Sequence, residues 1–276
     1  MKLFATPARA AALVFTAALA CTAQAQPGTE AFDLADCQGP LRQNFARTLV
    51  PAHASVATLP AQALWLDARR LRWPQAEAGV RTRLLFSARG QLQAAAGTAA
   101  TGMDEALLLE PHTLQLPPAL RQQHAWFGPG PVWRVPAAQQ HRLRTLHRGQ
   151  LLLVQEDAAG QVLRATAVQH APALDALYAD AAERLPTLGA TVAARTRSPA
   201  TQFRVWAPTA QQVALCLHAD GQPDTPAQRL QPLQRDNASG AWQWREPQDL
   251  SGQTYTYLVD VHVPGTGLVR QRVTDP

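Results

Sequence analysis

In Phe203-Arg204-Val205-Trp206-Ala207-Pro208-Thr209-Ala210 and the strands that follow it, apolar side chains recur at every second residue. Phe203 and Val205 fall on one face, as do Val213, Leu215 and Leu217, and then Tyr255, Tyr257, Val259 and Val261. A period of two residues is the signature of a strand with one buried face. Polar turns separate these runs at Asp220-Gly221, at Asp236-Asn237-Ala238-Ser239-Gly240 and at Pro264-Gly265-Thr266-Gly267. Alternating strands with turns at this spacing predict a β-sandwich of immunoglobulin-like size over residues 195–276.

Upstream, the pattern changes without leaving the β class. Ala63-Leu64-Trp65-Leu66-Asp67 and Leu71-Arg72-Trp73 read as two short strands joined by a tight turn, the second ended by Pro74. Arg81–Ser87 and Gln91–Ala94 flank Arg89-Gly90 and predict a hairpin. A second hairpin is predicted from Leu151–Gln155 and Val162–Val168 around Asp157-Ala158-Ala159-Gly160, its first strand apolar enough to be buried on both faces. Residues 106–123 and Trp126-Phe127-Gly128-Pro129-Gly130-Pro131 read as irregular. Ala173–Ala179 has helical spacing with Gly189 beyond it, so one short helix is expected there. The expected organisation is mainly β: a lead-in over 26–58, a β domain over 59–194, a linker near 195–200 and the sandwich.

The first 25 residues carry Lys2 and Arg9, an apolar run from Ala10 to Ala20, and the small residues Ala23-Gln24-Ala25. This is the grammar of an export signal cleaved after Ala25, with lipidation at Cys21 as the alternative. The run falls short of the roughly 20 apolar residues of a bilayer span, so no membrane span is expected. An exported chain meets an oxidising compartment, where Cys37 and Cys216 either pair or remain two thiols, Cys216 being then a small apolar core residue.

The formal net charge is +5, and loss of Lys2 and Arg9 leaves +3. The arginines of Arg69-Arg70-Leu71-Arg72, Arg142-Leu143-Arg144 and His147-Arg148 alternate with apolar residues, as on the solvated face of strands, and form no patch that would engage nucleic acid. The eight histidines show no metal-ligand spacing, so neither a metal nor a cofactor is expected.

Four ordered stretches carry a family resemblance: Trp206-Ala207-Pro208-Thr209-Ala210, Asp236 to Trp242, Gly252-Gln253-Thr254-Tyr255-Thr256-Tyr257, and Val273-Thr274-Asp275-Pro276. Through them the C-terminal block resembles the family 48 carbohydrate-binding module of pullulanase-type α-1,6-glucosidases in glycoside hydrolase family 13. Residues 60–190 are similar to the second N-terminal domain of the same enzymes, through Leu64-Trp65-Leu66-Asp67, Leu71-Arg72-Trp73-Pro74, Arg148-Gly149-Gln150-Leu151 and Leu174-Asp175-Ala176-Leu177-Tyr178. The resemblance implies a starch-debranching pathway, hydrolysis of α-1,6 bonds in pullulan, amylopectin or limit dextrins.

Glycoside hydrolysis needs two carboxyl groups opposed across the scissile bond. The resemblance places them in a barrel of roughly 250 residues beyond Pro276. Asp260 lies on a strand without a partner carboxylate, and Glu246 before Pro247 reads as a solvated turn residue. No catalytic residue is therefore assigned, and the expectation is the noncatalytic N-terminal part of such an enzyme, its missing barrel the expected partner.

For α-glucan the candidates are Trp242 and Trp244, which alternation puts on one side of a strand, where an aromatic face can meet the apolar face of a pyranose. The competing role for Trp242 is core packing within the Asp-x-x-x-Gly-x-Trp pattern. Glycogen-binding members of the family carry tryptophans in stretches that here read 218–229 and 267–272, neither with an aromatic residue, and a lysine where Thr256 stands. The alternative function is a stand-alone exported glucan-binding or interaction protein, with the aromatic segment around Trp126 contributing to its surface.

Overall fold

The computed structural model describes residues 30–38, 47–49, 59–193, 199–222 and 225–275. The export signal, Cys21 and most of the expected linker lie outside the described residues.

The first unit is a mixed sheet. Its strands are β1 (Ala63–Trp65), β2 (Arg70–Arg72), β3 (Arg81–Ser87), β4 (Glu105–Leu108), β5 (Glu110–Pro111), β6 (Val132–Arg134), β7 (Gln150–Glu156) and β8 (Val162–Gln169). They run in the order β4-β3-β7-β8-β1-β2-β6-β5, antiparallel except where β8 meets β1. Leu84 and Leu153 from one half share a core with Trp65, Leu71 and Trp133 from the other, so the sheet folds over onto itself. β7 is buried along its whole length, as its unbroken apolar run requires. The 63–73 and 151–168 hairpins form as expected, the latter turning at Gly160 with φ 78°.

The hairpin expected at Gly90 does not form. β3 already pairs with β4 on one edge and β7 on the other, so Gln91–Ala94 finds no free edge and keeps a single bridge from Gln93 to Thr101. The stretch from 106 to 131 is more ordered than its sequence reads: it holds β4, β5 and α1 (Pro118–Gln123). α2 (Leu143–Leu146) precedes β7, and α3 (Ala171–Ala182) is the expected helix, longer at both ends and packed through Ala173.

The second unit contains β9 (Gly189–Val192), β10 (Thr201–Trp206), β11 (Ala210–His218), β12 (Ala227–Pro232), β13 (Gln234–Arg235), β14 (Ala241–Glu246), β15 (Thr254–Val263) and β16 (Gly267–Val273). The sheet β9-β10-β14-β13 faces the sheet β16-β15-β11-β12. Phe203, Val205, Val213, Leu215, Leu217 and Tyr257 fill the space between them, as the alternation requires. β9 already belongs to this sandwich although it precedes residue 195.

The described parts of the lead-in, residues 30–38 and 47–49, dock on the sandwich. Arg47–Leu49 pairs with β16 and extends the five-stranded sheet. Phe32 and Cys37 cover the outer face of that sheet at Cys216 and Leu258. Cys37 and Cys216 are disulfide-bonded, with Cα atoms 5.5 Å apart. Arg270 fixes the same segment by pairing with Asp36 at 2.7 Å and with Asp260 at 2.9 Å, while Arg272 donates to the Cys37 carbonyl at 2.6 Å. None of these sheets closes into a barrel among the described residues.

Candidate functional site

The two units meet at a joint built around Arg148. This residue follows α2, in a short turn whose backbone N–H groups donate to carbonyls of the preceding helix. Its side chain crosses to the second unit, where Nε donates to the Ala210 carbonyl at 2.9 Å and Nη2 to that of Gln211 at 2.6 Å. Gln211 answers in the opposite direction, donating to the Ala88 carbonyl at 2.6 Å and the Arg148 carbonyl at 2.8 Å. Burial, with Arg235 nearby, lowers the Arg148 pKa to about 10, so the guanidinium stays charged at neutral pH.

The sequence around Arg148 follows from this geometry. A Cβ on Gly149 would lie 2.5 Å from the Ser87 carbonyl oxygen, so only glycine lets the chain pass. Gln150 then accepts from Leu92 N–H at 2.7 Å and holds the segment that could not become a strand. A second tie lies beside Tyr178 of α3: Arg235 donates to its hydroxyl at 2.9 Å, and Gly240, at φ 74°, approaches its ring.

Beside Arg148 the joint opens into a cleft of about 610 Å³ lined by both units, among them Leu59, Val168, His170, Thr209, His262 and Pro264. His147 and His170 meet here, Nδ1 to Nδ1 at 2.9 Å. His147 is fully buried and packs against Trp65, ring centroids 4.3 Å apart. His262 comes from β15 and lies over Gly90 of the first unit. Burial holds His147 well below the ordinary imidazole range, lowers His170, and takes His262 down to about 4, with His170 pushing His147 and His262 further in that direction. All three are neutral at pH 7.

The residues singled out in the sequence lie elsewhere. Trp242 and Trp244 do project to one side of β14, but that side is the sandwich interior. Trp242 is 6% exposed and donates to the Ala207 carbonyl at 3.0 Å. Trp244 stacks on Phe203 and lies under the Arg229 guanidinium. Trp242 thus takes the core-packing role set against sugar binding above, while Trp244 is half-buried against the same core.

Glu246 is buried and paired with Arg229 at 2.8 Å, which corrects its reading as a solvated turn residue. Asp260 is buried against Arg270, and the other carboxylate near it, Asp36, shares the same guanidinium. An arginine between two carboxylates leaves no room for a scissile bond, so this is a structural network. The arginines of 142–148 sit on a short helix and turn rather than a strand. Arg142 pairs with Glu105, and Arg148 is buried in the joint. No group of three or more potential metal ligands forms among the described residues.

Nothing local to Arg148-Gly149-Gln150-Leu151 marks its task at the joint, because Ala210 and Gln211 are 62 and 63 residues away from Arg148 in sequence. The histidines carried no signal at all, since His147, His170 and His262 come from three separate segments.

Two modules in this order, a folded-over mixed sheet and then a five-plus-four sandwich, define the class. Residues 60–176 match the Pullulanase N2 domain, and residues 187–276 match Carbohydrate-binding module 48 (Isoamylase N-terminal domain). The chain carries these two domains and is homologous to the N-terminal region of a Klebsiella pullulanase. It is similar to the pullulanase of Klebsiella pneumoniae, 34% identical over 78% of this chain and 19% of that protein. It is also similar to the chloroplastic Pullulanase 1 of Arabidopsis thaliana, 28% identical over 45% of this chain and 12% of that one. The crystal structure of apo pullulanase from Klebsiella pneumoniae superposes with a TM-score of 0.67 at 32% identity, covering 79% of this chain and 22% of that one. The chain therefore spans about a fifth of the length of its Klebsiella relative.

Proposed function

We propose that this chain is the noncatalytic N-terminal part of an exported pullulanase-type starch-debranching enzyme, whose full-length form hydrolyses α-1,6-glucosidic bonds in pullulan, amylopectin or limit dextrins. The observation that carries the reading is the pair of matched modules in consecutive order, locked by Arg148 and Gln211 into one body. A rigid two-module arm suits a scaffold that holds or extends a substrate cleft, and a carbohydrate-binding module gives that arm a glucan as its ligand class. This step rests on the likeness of modules, since fold alone does not fix function.

In this reading residues 1–25 are an export signal that directs the protein to the periplasm or the exterior, followed by a lead-in to residue 58, the first domain as far as α3, and the module from β9 to 276. Purified residues 26–276 should release no reducing sugar from pullulan yet be retarded in a native gel containing amylopectin. Hydrolysis by the pure chain would overturn the noncatalytic assignment, and unretarded migration the glucan-binding one.

A second reading, a self-sufficient glucan-binding or interaction protein, is favoured by the aromatic segment at Trp126. This ring is 67% exposed and meets Phe127 edge-on. Trp126→Ala separates the two readings: retardation that depends on Trp126 supports the second.

A further inference from the structure

The cleft at the joint contains an arrangement that neither the family match nor the scaffold role explains. The Nδ1 atoms of His147 and His170 are 2.9 Å apart, the ring planes differ by 22°, and the centroids are 5.2 Å apart. The centroid separation is close to the N···N distance plus the two centre-to-nitrogen radii, so the nitrogens point straight at one another. They share one proton, and their lone pairs do not converge on a third point where a metal ion could sit.

The tautomers follow from burial. His147 Nε2 is sealed and has no partner among the described residues. A hydrogen there would be a buried, unsatisfied donor, a costly arrangement. His147 therefore carries its hydrogen on Nδ1 and donates it to His170 Nδ1. His170 must then carry its own hydrogen on Nε2, the far side of a ring that lines the cleft. A buried partner thus locks His170 as a neutral donor of fixed orientation.

The rest of the cleft is suited to a neutral guest. Arg148 lines it, but its guanidinium is committed to the carbonyls of Ala210 and Gln211. His262 adds a second neutral imidazole, whose buried Nε2 lacks a partner among the described residues. Leu59, Pro60, Val168 and Pro264 supply apolar wall. The volume of about 610 Å³ falls in the range of small-molecule sites, which combine apolar walls with a few placed polar groups.

We propose that this interdomain cleft is a binding site for a short, uncharged α-glucan segment, with His170 donating from Nε2 to a sugar oxygen and the apolar wall covering a pyranose face. The choice of glucan over another neutral polyol rests on the carbohydrate-binding reading above. His147 acts as a positioning residue that holds the tautomer of His170.

The test uses the full chain with maltotetraose as the probe, followed by titration calorimetry and by ¹⁵N imidazole NMR, with amylopectin retardation alongside. The expected result is a ligand-induced shift of the His170 Nε2 resonance, and an affinity lowered at least tenfold in His170→Ala and less in His170→Gln, which keeps a donor. Ala61→Trp puts a bulky ring on an exposed residue of the cleft lining that is not one of the histidines, and should abolish binding in a protein that still melts cooperatively. Retardation by amylopectin with no His170 shift and no effect of Ala61→Trp would overturn the cleft while leaving glucan binding elsewhere on the chain. Absence of both calorimetric binding and retardation would overturn the cleft and the carbohydrate-binding reading together.

Discussion

Acid should loosen this protein in a pH range set by its histidines. His262 has an ordinary pKa of 6.5 and is taken down to about 4 in the fold, chiefly by burial. Between those values the unfolded chain binds a proton that the folded chain refuses, so stability falls as pH falls. The stability of the neutral state is fully present above pH 6.5 and is drained as pH drops towards 4. The slope for one proton is about 1.4 kcal/mol per pH unit, giving a loss of about 2.5 kcal/mol at pH 4.5 from His262 alone. His147 and His170 act in the same direction. Carboxylates held low by hydrogen bonds, such as Asp236, lose stabilisation only below their ordinary value of 3.8, outside this window. Urea unfolding followed by tryptophan fluorescence at intervals from pH 7.5 to 4.5 measures the slope. His262→Gln should reduce it by about one proton's worth across the window. Parallel pH profiles for the parent and the variant would refute the argument that His262 is buried neutral at the joint.

Arg148→Ala removes both charge-assisted hydrogen bonds to the carbonyls of Ala210 and Gln211. A loss of about 3 kcal/mol is expected, with the two units unfolding in separate calorimetric transitions; a loss under about 1 kcal/mol would show that the joint is held by other contacts. Replacing Cys37 and Cys216 together by alanine opens a loop with a sequence separation of 179, for which chain entropy sets an upper bound of about 5 kcal/mol. The melting temperature of the double variant should fall by several degrees, and an unchanged value would mean that the Arg270 and Arg272 contacts and the Arg47–Leu49 pairing hold the lead-in on the sheet without the disulfide. Gly149→Ala places a Cβ 2.5 Å from the Ser87 carbonyl, and it should destabilise by more than 2 kcal/mol with a shift in the β3 amide resonances. Normal stability there would refute the reason given for glycine in the motif.

Much of the sandwich was legible because its information is local. Two-residue alternation in β10, β11 and β15 sets which residues share a face, and the Asp236–Gly240 turn marks where the chain reverses. What alternation cannot supply is the environment of that face. Trp242 and Trp244 were placed correctly together, yet whether the second sheet or solvent lay over them depends on long-range packing. The same limit explains Gln91–Ala94, a segment with strand-like residues that lost its edge to β4 and β7.

The joint was illegible for a deeper reason. Its polar groups come from a turn after α2, the residue before α3, the first residues of β11 and the end of β15. Each is unremarkable in its own neighbourhood: an arginine after a short helix reads as solvated, and a histidine on a strand reads as surface. Only when the units dock does Arg148 gain two carbonyls and the His147–His170 pair of the first unit gain His262 beside it, over Gly90. Docking also reverses the usual meaning of charge here, because the arginine remains ionised where water is excluded while the histidines beside it are kept neutral. That contrast follows from what each group meets on burial. Carbonyl oxygens solvate a guanidinium, whereas a second imidazole supplies one lone pair and no negative charge, so it can orient its neighbour without ionising it.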